Sequence, residues 1–499
     1  MSIFTTKPIE QIENEHIKAE QLGPGSGGQL QRVLGAWQLV MLGVGAIIGT
    51  GIFVLTGQAA AAHAGPAIVI SMVLAGLTSV LAALCYSEFA SSVPVAGSAY
   101  TYAYATLGEF VAWVIGWDLI LEYALGAATV AVGWSGILIT LLGQLGLTFP
   151  AALSAAPGTV VPVVGGDPVT AVLNLPAVLV TAAVTALLIV GVSESASVNS
   201  VIVVIKVAVL IVVIAAGAMF VDPANWHPFI PPNTGTFGEY GWSGILRGAG
   251  VIFFAYIGFD AVSTSAQEAR NPQRDMPRGI LGSLAICTVL FVLVSGVMVG
   301  LVPYQTMLNQ PAPLVLTIQA AAARAVGTSW EDTMAGIQVL VTIGGLAGLS
   351  SVMVVMMLAQ PRIFLSMSRD GLLPAWAGRI HPRYHTPHIS TLVTGVVVAI
   401  AAGLTPIGTL GSLVSIGTLM AFVIVAIGII VLRRTRPDLP RPFKMPWVPV
   451  LPLMSAAVSL ILMLGLPRAT WERLFIWMAT GIVLYFAYGY KHSRLRTAD

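Results

Sequence analysis

Three long stretches without any charged residue constrain this chain more than any other feature. No Asp, Glu, Lys or Arg occurs in residues 33–87, 123–166 or 279–323. Each stretch is long enough for two membrane spans, because a spanning helix needs about 20 apolar residues. Only 9% of the whole chain is charged, against about 25% in ordinary soluble proteins. A water-soluble fold is therefore excluded.

Continuous apolar runs of this length predict a bundle of helices. The alternative in a bilayer, a closed barrel, would show alternating polar and apolar segments of about 10 residues. Glycine, proline and charged residues divide the runs into twelve predicted spans, and residues 302–332 carry enough helix formers for a further short helix. The predicted spans begin near Trp37, Pro66, Leu107, Leu173, Val198, Ser243, Gly279, Gly336, His388, Gly411, Trp447 and Leu474.

The basic residues predict the orientation of the chain. Most Lys and Arg cluster in residues 270–278, 362–383, 433–444 and 491–496. Such clusters mark cytoplasmic loops under the positive-inside rule. With an even number of spans both termini are then cytoplasmic. We therefore expect a multi-pass protein of the cell inner (plasma) membrane, with residues 1–33 and 491–499 as cytoplasmic tails.

The first predicted span carries four glycines at membrane depth, Gly43, Gly45, Gly49 and Gly51, within LGVGAIIGTGIF. Glycine weakens a helix and permits backbone conformations that other residues resist. One interpretation is close helix packing, because Gly45 and Gly49 form a small-xxx-small motif. The other is a helix interrupted at Gly49, Thr50 and Gly51, whose freed N–H and C=O groups bind a substrate carboxylate and ammonium.

The sixth predicted span contains a second segment interrupted by glycine, FFAYIGFD, with Gly258 as the candidate break. This segment lies in the matching position of a following unit of five helices. Paired interruptions in two halves of a membrane protein point to a binding site at the bilayer midplane. The aromatic residues alone would also fit ordinary core packing, so the prediction of a site depends on the pair.

Lys206 lies near the centre of predicted span 5, about 8 residues from its polar start and too deep to reach the interface easily. An ammonium at that depth needs a partner or must lose its proton. Lys206 is therefore a candidate proton carrier. The alternative is a fixed structural charge that is bonded to backbone carbonyls.

Two carboxylates and a methionine complete the candidate residues. Asp118 and Glu122 in span 3 are one helical turn apart and share a face. Glu122, the deeper of the two, is expected either to contact the substrate region or to hydrogen-bond a neighbouring helix. In span 8, Met356 can wall a pocket for an aliphatic side chain or pack in the core. No nucleophile or metal cluster accompanies the carboxylates, so we expect no catalytic residues, cofactor or metal.

Five motifs are similar to those of known membrane transporters. They are GAIIGTGIF (residues 45–53), YSEFASSVPVAGSAYTYAYATLGE (86–109), GWDLILEY (116–123), FFAYIGFDAVSTSAQEARNPQRDMPRGI (253–280) and PRIFLSMSRDGLLP (361–374). On these motifs residues 34–490 resemble the amino acid–polyamine–organocation (APC) superfamily and, within it, bacterial members of the cationic amino acid transporter family. One departure is Gln267, where relatives often carry a glutamate, and we assign that position no role.

The resemblance implies an all-α membrane fold with 12 transmembrane helices and a LeuT-like five-plus-five inverted repeat. The repeats are residues 34–222 and 223–435, and two peripheral spans follow in residues 436–490. Spans 1 and 6 are then interrupted, with Gly49, Gly51 and Gly258 at the breaks.

The resemblance also implies a substrate site and a coupling residue. Lys206 matches the family's span 5 lysine, whose ammonium stands where sodium sits in sodium-coupled relatives and ties span 1 to span 8. Proton symport is therefore implied. Carried over residue by residue, the substrate-binding positions are Ile47, Thr50, Gly51, Phe254, Ala255, Ile257 and Met356, with Glu122 near the pocket.

These residues predict a secondary active transporter that imports L-amino acids by proton-coupled symport and alternating access. The apolar pocket and the bulky Met356 favour small neutral substrates such as alanine. The alternatives are a transporter of arginine and lysine, an amino acid exchanger of the same fold and an ion channel, while a membrane-embedded enzyme is disfavoured. The expected partners are the amino acid, protons and the lipid bilayer, with a small single-span membrane subunit as the candidate protein partner and no nucleic acid.

Overall fold

Helices account for most of the computed structural model, which describes residues 3–8, 34–92, 99–163, 166–191, 196–260, 262–263 and 269–497. The α-helices in these ranges are α1 (Ala36–Ile47), α2 (Thr56–Ala59), α3 (Ile68–Ser92), α4 (Ala99–Thr106), α5 (Glu109–Gln144), α6 (Leu175–Val190), α7 (Ala196–Ala218), α8 (Gly241–Ile252), α9 (Pro272–Leu301), α10 (Pro313–Ala325), α11 (Glu331–Arg369), α12 (His388–Leu404), α13 (Ile407–Thr435), α14 (Val450–Gly465), α15 (Arg468–Leu484), α16 (Tyr490–His492) and α17 (Arg494–Thr497).

Shorter helical segments extend or join these helices. The π-helical segments are Gly51–Leu55, Ala60–Ala64 and Tyr485–Gly489, and the 3-10 turns are Gly65–Ala67, Ala151–Leu153, Pro223–Trp226, Phe253–Tyr256, Tyr304–Met307 and Ala375–Gly378. The first two π-helical segments flank α2, so that residues 51–64 form one continuous helical stretch.

The length of the apolar runs determines where the helices form. Within the described residues, seven helical segments are long and apolar enough to cross a membrane, and four shorter apolar helices accompany them. All twelve predicted span starts lie close to the start of a helix, and the largest shift is at Gly279, where α9 already begins at Pro272. The long segment Gly51–Ser92 contains the second half of the first predicted span and the whole of the second. Twelve crossings and the five-plus-five repeat therefore stay predictions.

The connections between helices contain one expected and one unexpected element. The short helix expected in residues 302–332 is confirmed as α10. The connection between α5 and α6 departs from an all-α fold, because β1 (Val160–Val161) pairs antiparallel with β2 (Val169–Thr170). These β-branched residues favour extended backbone. The end of the bundle that carries β1 and β2 is called the hairpin end below.

The two described terminal segments, residues 3–8 and 493–497, meet at the opposite end, called the terminal end. Lys7 Nζ lies 2.7 Å from Asp370 Oδ1, just after α11. Arg496 Nε lies 3.2 Å from Glu109 Oε1 at the start of α5. Burial raises the pKa of the Tyr104 hydroxyl well above its usual range, so this group stays neutral and donates to Glu109. Both terminal segments therefore cover the start of α5.

A buried ion cluster joins α3 to α13 near the same end. Glu88 is fully buried and accepts hydrogen bonds from Arg433 Nε and Nη2 at 2.8 and 2.6 Å. The backbone N–H of Met445 donates to the same carboxylate at 2.8 Å, and Arg441 Nε lies 3.5 Å from it. A bidentate arginine–carboxylate pair has a specific geometry, so this cluster holds the ends of α3 and α13 together.

Candidate substrate site

The first candidate break lies between α1 and the π-helical segment Gly51–Leu55. The helix ends at Ile47, Ile48 is extended with ψ 99°, and helical backbone resumes at Thr50. The break thus lies at Ile48 and Gly49. The sequence places it at Gly49, Thr50 and Gly51, but Thr50 and Gly51 instead begin the second half of the span.

The second candidate break follows α8. The 3-10 turn Phe253–Tyr256 continues this helix, and Ile257 is extended with ψ 139°. Gly258 then has φ 118°, a conformation that residues with a side chain rarely adopt. Residues 261 and 264–268 of the same motif, including Gln267, lie outside the described residues.

The two breaks contact each other through their backbones. A Cβ atom added to Gly51 would overlap Ala255, 2.5 Å from its Cβ and 2.9 Å from its backbone nitrogen. A Cβ atom added to Gly258 would lie 2.9 Å from the carbonyl carbon and oxygen of Ala46. Real Cβ atoms essentially never come this close to other atoms. Gly51 is therefore required by the approach of Ala255, which explains its place just after the break.

Two side chains of the predicted site pack against glycines of α5. A Cβ atom on Gly133 would lie 2.9 Å from Thr50 Oγ1, and one on Gly126 would lie 2.9 Å from Met356 Sδ. Residues seven positions apart lie on one helix face, two turns from each other. The sequence predictions above do not include these two glycines. Their spacing of seven residues is the signal that could have identified them. Thr50 is fully buried, and its hydroxyl has no hydrogen-bond partner among the described residues.

Lys206 in α7 is fully buried and contacts both α1 and α11. Its ammonium donates a hydrogen bond to the carbonyl oxygen of Gly45 at 2.8 Å. A Cβ atom on Gly348 of α11 would lie 3.3 Å from Lys206 Cγ and Cε, so the methylene chain runs across that glycine. The side chain does not extend toward the membrane interface. It supports the end of α1 just before the break.

The carboxylates of α5 lie between this region and the terminal end. Glu122 is buried, Asp118 and Asp260 act on it electrostatically, and Thr418 of α13 is its polar neighbour. Its Oε1 atom has no hydrogen-bond partner among the described residues. Asp260 follows Gly258 in the chain and faces the hydroxyl of Tyr123 at 3.5 Å. Glu122 therefore belongs to a polar group that links α5 to the second break and to α13.

A cavity of about 650 Å³ lies at the hairpin end of the bundle. Its lining includes Val54 and Val132, which lie close in sequence to the contact between Thr50 and Gly133, and Gln58, His63 and Asn174 are among its polar lining residues. None of the predicted binding residues lines it, and all of them are buried. The cavity thus lies beside the second half of the first interrupted span and not at the break itself.

This arrangement defines the class of protein. Interrupted apolar helices, a buried ammonium and a cavity beside the second half of the first span occur together in a multi-pass helical membrane protein, which is typical of transporters. The chain belongs to the amino acid permease family, whose profile matches residues 34–487. Membership confirms the resemblance to the APC superfamily, and the relatives are permeases and transporters rather than enzymes.

Three relatives show the range of substrates in their names. The branched-chain amino acid permease BcaP of Bacillus subtilis is 46% identical over 495 residues, which cover 99% of each chain. The methylthioribose transporter of Bacillus subtilis is 43% identical over 494 residues, again 99% of each chain. The vacuolar cationic amino acid transporter 4 of Arabidopsis thaliana is 40% identical over 430 residues, which cover 86% of this chain and 67% of that one.

Proposed function

We propose that this protein imports neutral apolar L-amino acids by proton-coupled symport. The observation that carries the proposal is the contact between the two interrupted helices, where Gly51 meets Ala255, together with the buried Lys206 that bonds Gly45 in the first of them. Helix ends in a membrane expose N–H and C=O groups that lipid cannot satisfy. A zwitterion supplies a carboxylate for the N–H groups and an ammonium for the carbonyls.

The backbone at the breaks forms the part of the site that recognises every amino acid. The N–H groups of Thr50 and Gly51 begin a helical segment, and its positive dipole end favours a carboxylate. The carbonyls of the turn that contains Phe254 and Ala255 end a helix and favour an ammonium. The Thr50 hydroxyl, which has no partner among the described residues, is a further donor, since a buried hydroxyl without a partner costs about 1–3 kcal/mol.

The side-chain pocket supports a neutral apolar substrate. The proposed pocket residues Ile47, Phe254, Ile257 and Met356 are apolar and buried, and apolar linings favour apolar side chains. Met356 packs against α5 at Gly126, one helical turn from Glu122. We infer that the methionine covers the α5 face that leads to this carboxylate and so disfavours arginine and lysine. The name of the Bacillus subtilis relative BcaP extends the proposed range from alanine to the branched-chain amino acids.

Lys206 is proposed as the coupling residue. Its ammonium is bonded to Gly45, and a change in its charge would alter the support of α1 at the break. Protons taken up on one side and released on the other would then drive accumulation through alternating access. The proposed moving parts are the repeats in residues 34–222 and 223–435, with residues 436–490 at the periphery. Basic clusters and the bacterial relatives support the plasma membrane, with both termini in the cytosol.

Competition in proteoliposomes tests the substrate class. Labelled alanine or leucine would be taken up against an excess of unlabelled alanine, leucine, arginine or methylthioribose. We expect alanine and leucine to compete and arginine to fail. Strongest competition by arginine or by methylthioribose would overturn the proposal.

The same vesicles separate symport from exchange. Vesicles with no internal amino acid should accumulate substrate under an inward proton gradient, whereas an exchanger needs internal substrate. Absence of uptake without internal substrate would replace symport by exchange. A conductance without saturable, stereoselective uptake would indicate a channel.

Met356→Ser tests the pocket assignment. The shorter hydroxyl side chain should open the path to Glu122 and let arginine compete, while leucine binding weakens. Met353→Ser on the same helix is the matched control, because Met353 is buried but is not assigned to the pocket. An unchanged ranking of competitors in Met356→Ser would contradict the assignment.

A further inference from the structure

Asp118 is a buried carboxyl that the proposed binding and coupling steps leave unused. It is fully buried between α5 and α13, and neither carboxyl oxygen has a hydrogen-bond partner among the described residues. It lies nine positions after Glu109, about 14 Å along α5 from the terminal end. A Cβ atom on Gly417 of α13 would lie 2.7 Å from Asp118 Oδ1. Because Gly417 has no side chain, α13 leaves room for the carboxyl group of Asp118.

The surroundings of Asp118 contain acids and phenols and no cation that pairs with it in the described part of the chain. On α5 itself the titratable neighbours are Glu122 and Tyr123, while α13 carries no titratable side chain before Arg433. Among the described cations, Arg362 acts on Tyr123, and none acts on Asp118. Around Glu122 and Tyr123 the other elements contribute Tyr86, Asp260 and Arg362, and the adjacent α15 carries its titratable groups, Arg468, Glu472 and Arg473, within residues 468–473.

This environment selects one protonation state. Burying the charged form of a carboxyl without donors or a cation is far costlier than burying the neutral acid. The closed contact between α5 and α13 therefore holds Asp118 as the acid. In this closed contact the carboxyl therefore carries a proton, and no group of three or more His, Cys, Asp or Glu side chains that could hold a metal ion is found among the described residues. Separation of α13 from α5 would admit water, which solvates the carboxylate and accepts the proton.

We propose that Asp118 is a proton-binding residue of the transport cycle. It holds a proton while α5 and α13 are in contact and releases it to water when the contact opens toward the terminal end. The site lies one helical turn from Glu122, on the side of the terminal end. This inference rests on the proton symport proposed above and adds to it the residue from which the proton leaves.

Asp118→Asn is the test, because the amide keeps the size of the acid and cannot release a proton. Two assays on reconstituted protein separate its effects. Substrate counterflow at equal pH on both sides reports binding and alternating access, and uptake under a pH gradient, followed with a pH-sensitive dye inside the vesicles, reports coupling. We expect counterflow to stay within about twofold of the unmodified protein. Accumulation, about tenfold per pH unit for one coupled proton, should be lost.

Two further variants make the result decisive. Asp118→Leu removes the carboxyl without introducing a buried amide and should behave as Asp118→Asn does. Asp438→Asn is the control, because Asp438 is an exposed aspartate that should have no effect on coupling. Equal accumulation in Asp118→Asn and the unmodified protein would overturn the role of Asp118. So would loss of counterflow in both Asp118 variants, since the residue would then be structural.

The unmodified protein distinguishes failure of this inference from failure of the proposed function. If unmodified vesicles do not accumulate substrate under a pH gradient, proton symport itself is wrong. If they do accumulate it and Asp118→Asn retains full coupling, only the assignment to Asp118 is wrong.

Discussion

The contact between the two interrupted helices makes a sharp prediction about two glycines that are two positions apart. In Gly51→Ala, the new methyl group would lie 2.5 Å from Ala255 Cβ and 2.9 Å from its backbone nitrogen. In Gly49→Ala, the nearest atoms would be the Val352 methyl groups at 3.5 Å, an ordinary van der Waals contact. The same chemical change is therefore blocked at one position and tolerated at the other.

The size of the difference follows from the atoms that are contacted. Overpacking in a packed interior costs about 1–3 kcal/mol, and the upper part of that range applies to Gly51 because backbone atoms of Ala255 cannot rotate away. At Gly49 the substitution should be neutral, or stabilising by about 0.4–1 kcal/mol if the backbone suits alanine. If the overpacking destabilises only the conformation that binds substrate, a difference of about 2–3 kcal/mol lowers the substrate affinity by about 30- to 150-fold.

Two measurements check the prediction. The half-saturation concentration of counterflow in proteoliposomes should rise strongly in Gly51→Ala and stay near that of the unmodified protein in Gly49→Ala. The thermal unfolding midpoint with and without substrate should show a smaller substrate-induced increase in Gly51→Ala, because a ligand stabilises only the state that it binds. Equal effects of the two substitutions, or a Gly51→Ala protein with normal affinity, would refute the reasoning.

Three further predictions concern the buried charges. Lys206→Met should keep the protein folded and remove the dependence of uptake on the pH gradient, and an unchanged dependence would contradict a coupling role. Glu88→Gln should lower the free energy of unfolding by about 1–3 kcal/mol, because its bonds to Arg433 are charge-assisted. Glu472→Gln, which disrupts an exposed pair, should change it by at most about 0.5 kcal/mol. Lys7→Ala should speed amide hydrogen exchange at the start of α5, and Lys7→Arg should not.

The helices could be predicted from the sequence because their signals are local. Uncharged apolar length, together with glycine and proline punctuation, predicts where helices begin, and every predicted start lies near a helix in the structure. The shift at α9 has a simple cause, since the polar residues between Pro272 and Gly279 extend the helix beyond its apolar part. The pairing of β1 with β2 was not foreseeable, because two-residue strands leave no periodic pattern.

The residues of the candidate site remain a prediction from the sequence, and only part of their geometry could be predicted. The glycine-rich motifs and Lys206 stand out in the sequence, and the structure brings Thr50, Gly51 and Ala255 together. The position of the break shifts to Ile48 and Gly49, since glycine spacing alone does not tell a flexible backbone from a close contact. Which helix faces Gly126, Gly133 or Gly417 depends on how distant segments pack.

The chain itself therefore determines that this is a helical membrane protein with charge kept out of its apolar runs, because the solvation of each residue in lipid depends on its own chemistry. Tertiary structure decides what the rare polar residues do there. The ammonium of Lys206 donates a hydrogen bond to the carbonyl of Gly45, and the carboxyl of Asp118 packs against Gly417, which has no side chain. Both contacts form because helices that are far apart in the sequence approach closely in the folded protein. The distance between two such helices cannot be read from either stretch of sequence alone.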